Sequence, residues 1–103
     1  MTTPRIDLDG AVVLVTGAGG GIGAATALAF AERGSNVLAV DIDEVSAKQT
    51  AEACRATGSR MALAYGCDVA DAEAVADLAA GVHSEHGPLD VLVNNAGVGI
   101  TGE

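Results

Sequence analysis

The residues best suited to chemistry form a glycine-rich stretch at positions 16–23, which reads TGAGGGIG. An apolar run precedes it at residues 11–15, and an alanine-rich run follows it at residues 24–33. A glycine-rich turn between a buried strand and a helix can adopt positive φ and presents no Cβ to a ligand. The free N–H groups at the helix start would point at an anion. A solvated linker, the alternative, would have polar flanks, so the stretch is predicted to cradle phosphate.

A carboxylate stands where contact with a nucleotide ribose is expected. Asp41 ends the predicted second strand, close to the ~20 residues past the first loop glycine at which dinucleotide sites carry an acidic residue. Neither the glycine stretch nor the residues immediately after Asp41 include Lys or Arg, so a 2′-phosphate would meet repulsion. The predicted cofactor is therefore NAD. Asp41 could instead cap the following helix, but Asp43 is better placed to do so, which leaves Asp41 free for the ribose.

Composition excludes several classes of partner. The chain has 103 residues, the size of one small domain, and 14 acidic against 5 basic residues give a net charge of -9. Such a surface repels nucleic acids and anionic lipids. No signal peptide is visible, and no stretch approaches the ~18 continuous apolar residues of a membrane span. We therefore predict a cytoplasmic protein with no nucleic-acid or membrane partner.

Cysteine and histidine do not indicate a metal site. Cys54 and Cys67 have no partners at metal-ligand spacing, so both are interpreted as reduced packing residues. His83 and His86 stand three residues apart near a helix end and could ligate a metal. Polar and cationic residues are favoured in a last helical turn for other reasons, and spacing places no third ligand. No metal is predicted.

The chain alternates between strand and helix patterns. Continuous apolar runs are typical of strands buried on both faces of a parallel sheet. The pattern βαβαβαβ predicts an α/β fold, a Rossmann-type doubly wound parallel sheet that is incomplete, with strand order 3-2-1-4 and helices on both faces. The predicted strands are residues 11–15, 36–40, 60–66 and 91–93, and the predicted helices are residues 22–33, 44–57 and 71–85.

The apolar faces of the first two helices are predicted from helical spacing. Gly34 stands where a left-handed residue would end the first helix. The residues expected on the packing faces are Ile22, Ala25, Leu28 and Ala29 in the first helix, and Val45, Ala47, Ala51 and Cys54 in the second.

Three motifs resemble those of the short-chain dehydrogenase/reductase family. TGAGGGIG matches the TGxxxGIG motif of that family, with the glycine spacing GxxxGxG rather than GxGxxG. The pair Asp68 and Val69, just past the third strand, matches its adenine-contacting pair, and residues 94–97 match its NNAG motif. The motifs follow the family's order, and the similarity covers the whole chain but only the N-terminal, cofactor-binding part of a typical member.

The resemblance implies a role for each matching position. Asp68 would lie near the exocyclic amine of adenine, which suits a carboxylate acceptor. Asn94 would tie neighbouring strands together; an ordinary strand-ending turn is the alternative for this motif. The implied cofactor-binding residues are Gly17, Gly21, Ile22 and Gly23 at the pyrophosphate, Asp68 and Val69 at the adenine, and Asn95, Ala96 and Gly97 beneath the ribose next to the nicotinamide, together with Asp41.

The family's catalytic groups have no counterpart in this sequence. The family uses a Tyr-x-x-x-Lys pair and a Ser after the fourth strand, whereas Tyr65 lies in the third strand with Val69 four places on, and Lys48 lies upstream. No catalytic residue is predicted. Residues 1–103 are expected to form an NAD-binding half-domain, truncated before the catalytic segment and inactive alone. The parent would be a homo-oligomeric oxidoreductase acting on a small-molecule secondary alcohol or ketone; the alternative is a non-catalytic dinucleotide-binding or interaction module ending here.

Overall fold

The fold is a four-stranded parallel sheet with three helices in the computed structural model, which describes residues 7–95. All three neighbouring pairs of strands are parallel, and the strand order is β3-β2-β1-β4. The predicted fold class and strand order are confirmed. The elements are β1 (Val12–Thr16), α1 (Gly21–Glu32), β2 (Asn36–Asp41), α2 (Glu44–Thr57), β3 (Ala62–Gly66), α3 (Ala72–His86) and β4 (Val91–Val93).

The bounds of β1, β2 and β3 differ from the predicted ones by one or two residues, whereas those of β4 agree. β3 begins at Ala62 rather than at residue 60. The Met61 N–H group donates to Oδ1 of Asn36 at 3.0 Å, so its partner is a side chain rather than the backbone of the neighbouring strand. β2 extends to Asp41, which pairs with Gly66 in the register of the sheet. The extension places the Asp41 carboxylate at the carboxyl edge of the sheet, beside the turn that follows β1.

Helices cover both faces of the sheet. Val13, Val15, Val37 and Ala39 point to one face, where they form a buried cluster with small residues of α1 and α2. Their neighbours along the strands point to the opposite face, as the period of two in a strand requires. The cluster on that second face contains Leu14, Leu38, Val40 and Cys67, with Val82 of α3. Small side chains dominate the first face, so α1 and α2 can approach the sheet closely.

The predicted packing face of α1 is wrong except at Leu28, which is partly buried and packs against the core. Its buried residues are Gly23, Ala27 and Ala31, whereas Ile22 is 76% exposed. Ala25 and Ala29 are exposed as well. The helix is apolar almost all round, so hydrophobicity alone does not mark the face that contacts the sheet.

The predicted packing face of α2 is correct except at its first residue. Ala47, Ala51 and Cys54 are buried, but Val45 is 65% exposed. Thr50 completes the buried stripe, although it is polar. Val45 lies in the first turn of α2.

The helix ends follow the predicted chemistry. Asp43 caps α2 by accepting hydrogen bonds from the amides of Val45 and Ser46, which confirms the capping prediction. Asp71 caps α3 in the same way. Gly34 has φ of 87° directly after the α1 C-cap, as predicted for a left-handed residue. In the part of the chain that the structure describes, no helix has the length and apolarity to cross a bilayer.

Candidate functional site

The glycine-rich turn joins the end of β1 to the start of α1 at the carboxyl edge of the sheet. Gly17 and Gly21 have φ of 64° and 57°, in the left-handed region that side-chain-bearing residues rarely adopt. Both glycines are therefore required by the backbone path of the turn. Residues 17–20 connect the end of β1 to the first residue of α1.

Gly23 lies where the start of α1 approaches the turn most closely. A Cβ at this position would collide with the carbonyl group of Gly17, and it would lie 2.9 Å from Nδ2 of Asn95. The absence of a side chain therefore lets α1 begin directly against β1. The same contact brings Asn95, which follows β4, beside the glycine-rich turn.

The start of α1 lacks the side-chain cap that the other described helices have. Gly20 is its N-cap and makes no side-chain hydrogen bond, and the first turn contains no acidic residue. The helices α2 and α3, in contrast, have Asp43 and Asp71 as caps. The first amides of a helix need acceptors, and they attract an anion where no side chain supplies one. The N-terminus of α1 therefore fits a phosphate group.

Residues 18 and 19 of the turn are held by β2 and α2. The Ala18 amide donates to the carbonyl oxygen of Val40 at 3.0 Å. The Ala18 carbonyl accepts a hydrogen bond of 2.7 Å from the Thr50 hydroxyl. Thr50 was missed by the sequence analysis, although a threonine within the apolar stripe of α2 was a signal that a buried hydroxyl needs a partner.

Asp41 lies at the end of β2 with both carboxylate oxygens hydrogen-bonded. Oδ2 accepts from the Gly19 amide at 2.8 Å, and Oδ1 accepts from the Asp43 amide at 2.9 Å. As expected, Asp43 rather than Asp41 caps α2, and backbone amides orient the Asp41 carboxylate. Each carboxylate oxygen has a further lone pair, so the group can still accept hydrogen bonds from hydroxyl groups.

A cavity of about 320 Å³ lies beside the turn. It brings together four residues that the sequence analysis predicted to bind a cofactor, and Ile42, Cys67 and Ala70 complete its lining. Burial and the nearby carboxylates of Asp68 and Asp71 raise the pKa of the Cys67 thiol, so this wall stays uncharged at neutral pH. The predicted residues in the lining are Gly17, Asp41, Asp68 and Val69.

Ile42 forms an apolar wall that the sequence analysis missed. Its side chain is 72% exposed although it is large and aliphatic. The residue follows Asp41 directly, so its position at the carboxyl end of a central strand was the signal available from sequence. Asp68 lies in the same lining, where its Oδ1 accepts a hydrogen bond of 2.9 Å from the Ala70 amide. The cavity thus combines aliphatic walls with two carboxylates.

The two asparagines after β4 have different surroundings. The Thr16 hydroxyl lies 3.1 Å from Oδ1 of Asn94 and 3.4 Å from the carbonyl oxygen of Val93. Asn94 thus ties the ends of β1 and β4 together, as predicted. Asn95 lies beside the start of α1. The last two residues of this motif, Ala96 and Gly97, lie outside the described residues.

Tyr65 does not line the cavity. Its hydroxyl lies 3.1 Å from Nε2 of His86 and 3.3 Å from Oε1 of Glu85, at the end of α3. Burial, and then the Glu85 carboxylate, raise the pKa of this tyrosine above its ordinary value. Within residues 7–95, no group of three or more His, Cys, Asp or Glu side chains is arranged to hold a metal ion.

Comparison with known proteins identifies the family. The sequence profile described as short chain dehydrogenase matches residues 11–103, which is most of the chain. The chain belongs to the short-chain dehydrogenase family. This membership makes it part of an oxidoreductase family and counts against the alternative of a non-catalytic interaction module.

Relatives of this short-chain dehydrogenase chain include proteins with either form of the nicotinamide cofactor. A Mycobacterium tuberculosis protein named "Probable oxidoreductase EphD" is 50% identical over 99 residues, which is 96% of this chain. The crystal structure of an NAD+-bound xylitol dehydrogenase, 38% identical, matches 84% of the chain with a TM-score of 0.78. A metagenomic short-chain oxidoreductase in complex with NADP, 40% identical, matches 91% of the chain with a TM-score of 0.83.

The chain spans a minor part of each of these proteins. It covers 17% of the EphD sequence. It covers 33% of the xylitol dehydrogenase chain and 42% of the metagenomic oxidoreductase chain. The comparison therefore establishes the family and the fold of this portion, and both forms of the cofactor occur among the similar structures.

Proposed function

We propose that this chain is the NAD-binding part of an oxidoreductase that transfers a hydride between nicotinamide and a secondary alcohol or ketone. The observation that carries the proposal is the Asp41 carboxylate, held at 2.8 Å from the Gly19 amide at the edge of the glycine-rich turn. This arrangement combines an anion-binding turn with an acceptor for ribose hydroxyls. The nicotinamide cofactor supplies the hydride chemistry when bound, and this chain's residues hold and orient it.

The proposed contacts follow the arrangement of the described residues. The uncapped start of α1 and its glycine-rich turn would hold the pyrophosphate. The cavity next to them would take the adenosine, with Ile42 as an apolar wall. The exposed side chain of Ile22 would lie against the bound dinucleotide rather than in the core. The residues proposed to hold the cofactor are Gly17, Gly21, Ile22 and Gly23 at the turn, Asp41, Asp68 and Val69 around the adenosine, and Asn95, Ala96 and Gly97 near the nicotinamide ribose.

Charge favours NAD over NADP as the cofactor. Two unit charges 4 Å apart interact by about 4 kcal/mol at the effective dielectric constant of a protein surface. A 2′-phosphate near Asp41 would meet that repulsion, and neither the turn nor the cavity lining includes a Lys or Arg to offset it. The family comparison includes both cofactors, so this preference rests on Asp41.

The test is to titrate the full-length protein with NADH and NADPH and to compare two charge-removing variants. Wild type should bind NADH more tightly, and D41N should narrow the difference because the repulsion is removed. D43N is the matched control, since it removes an equal charge two residues away while an asparagine can still cap α2. D43N should leave the ratio of the two dissociation constants unchanged. Equal affinities of wild type for NADH and NADPH would contradict the proposed preference.

The proton-transfer groups of the family lie outside this chain in the proposal. The Tyr65 hydroxyl contacts His86 at the end of α3, and no Tyr-x-x-x-Lys pair occurs in residues 1–103. Reading the gene beyond codon 103 for a Ser followed by Tyr-x-x-x-Lys is the simplest check. A homo-oligomeric parent and a cytoplasmic location stay predictions.

A further inference from the structure

Thr50 lies on α2, 32 residues from its hydrogen-bond partner in the glycine-rich turn. The residue is 7% exposed, and Ala18, whose carbonyl accepts the 2.7 Å bond, is fully buried. A buried carbonyl that loses its donor cannot turn to bulk water, so the loss is costly. This hydroxyl is therefore well suited to fix the position of the Ala18 peptide.

Ala18 begins the three-residue segment 18–20 of the glycine-rich turn. Gly17 and Gly21 flank the segment, and glycine has more backbone freedom than any other residue. On one side the Ala18 amide is held by the carbonyl of Val40. On the other side only the Thr50 hydroxyl holds the Ala18 carbonyl among the hydrogen bonds of the described residues. The segment is thus fixed to β2 by two hydrogen bonds, from the Ala18 amide to Val40 and from the Gly19 amide to Asp41, and to α2 by the Thr50 hydroxyl.

We propose that Thr50 is a positioning residue for the dinucleotide: its hydroxyl holds the Ala18 peptide, and this keeps the amides of the glycine-rich turn aligned for the cofactor phosphates. The inference rests on the proposed function, because it assigns Thr50 to the same site. Thr50 itself does not line the cavity, so it acts through the turn. A site whose competent conformation is only partly populated binds more weakly in proportion to that fraction.

The test compares T50V and T50S with wild type in the full-length protein. Valine has nearly the shape of threonine but no hydroxyl, so the turn should populate its aligned conformation less often. The dissociation constant for NADH should rise about three- to tenfold, as expected if that conformation is populated a third to a tenth of the time. T50S keeps the hydroxyl and should restore wild-type affinity. If T50V cannot be obtained folded, T50A removes the same hydroxyl and is judged by the same criteria.

S59A provides the matched control. The Ser59 hydroxyl also donates to a backbone carbonyl, that of Ser35, at 2.6 Å, and Ser59 is 6% exposed. Ser59 and Ser35 precede β3 and β2, whereas the glycine-rich turn follows β1. The Ser59–Ser35 bond therefore lies at the amino ends of the parallel strands, and the Thr50–Ala18 bond lies at their carboxyl ends. S59A should lower the melting temperature as T50V does, yet leave the NADH dissociation constant unchanged.

The outcomes separate this inference from the proposed function. If wild type binds no NADH, the proposed function is wrong and the inference falls with it. If wild type binds NADH and T50V binds it equally well, only the inference is overturned. Equal weakening by S59A and T50V would also overturn it, because the effect would then be a general consequence of lost stability.

Discussion

Gly19 occupies a position at which the smallest possible side chain should disturb Asp41. An ideal Cβ built on Gly19 lies 2.8 Å from Oδ2 of Asp41 and 2.7 Å from Cβ of Ser46. Ordinary contacts between carbon atoms are about 3.5–4.0 Å. G19A should therefore push both Ser46 of α2 and the Asp41 carboxylate away from the turn, and the shift of the carboxylate would disrupt its hydrogen bond from the Gly19 amide.

The size of the effect follows from these contacts. Overpacking of a closely packed site costs about 1–3 kcal/mol of folding stability. Displacement of the carboxylate would also remove its proposed bonds to ribose hydroxyls, and hydrogen bonds to a charged group contribute about 1.5–3 kcal/mol. G19A should therefore weaken NADH binding by about 10- to 150-fold, since each 1.4 kcal/mol is a factor of ten.

The assay is a titration of the full-length protein with NADH and NADPH, followed by a thermal melt of each sample. G81A is the matched control, because a Cβ at Gly81 has open space around it and the residue lies in α3, outside the glycine-rich turn. G81A should affect both dissociation constants far less than G19A. G19A should also have little further effect in a D41N background, since both substitutions act on the same carboxylate.

The refuting result is specific. If G19A and G81A bind NADH equally well, the close approach of Gly19 to Asp41 does not control the site. If G19A weakens NADH binding by the same factor in wild type and in D41N, the effect does not pass through the carboxylate.

Two further predictions concern stability. Hydrogen bonds from the Ser46 hydroxyl and amide hold the pKa of Asp43 below its ordinary value of 3.8. The ionised Asp43 cap therefore stabilises α2 fully above pH 3.8, and this stabilisation is lost as the pH falls through the lower pKa of the folded state. Urea melts between pH 7 and pH 2 should show this loss in wild type but less of it in D43N; an identical acid dependence would contradict it. Residues 1–103 expressed alone should show no ketone-dependent NADH turnover, because they contain no Tyr-x-x-x-Lys pair. They should also be marginally stable, because Leu92 is 62% exposed and lines an apolar groove of about 550 Å³. Each large aliphatic side chain left uncovered forgoes about 1.5–3 kcal/mol, and a monodisperse chain that unfolds cooperatively in urea would refute this expectation.

The order of the elements could be read from the sequence because its signals are local. Apolar runs predicted the four strands, and Asp43 and Gly34 predicted two helix ends. These features depend on neighbouring residues, so tertiary contacts were not needed to find them. Strand order followed from the rules of parallel α/β topology together with the family resemblance.

The packing face of α1 could not be read in this way. Periodicity identifies a buried face only where polar residues mark the opposite one, and α1 offers almost no such contrast. Ile22, which was predicted to lie on the packing face, is 76% exposed, whereas Ala27 and Ala31, which were not, are buried. The close approach of α1 to β1 at Gly23 selects the small residues for the buried face.

Local signals in the sequence were sufficient to predict the elements, the glycine-rich turn and a carboxylate at the end of β2. Which atoms meet there follows from the tertiary structure: the Gly19 amide with Asp41, the Thr50 hydroxyl with Ala18, and Ile42 with the cavity. Turns and helix ends depend on local backbone chemistry, whereas these contacts join residues brought together by the docking of α2 and β2 against β1.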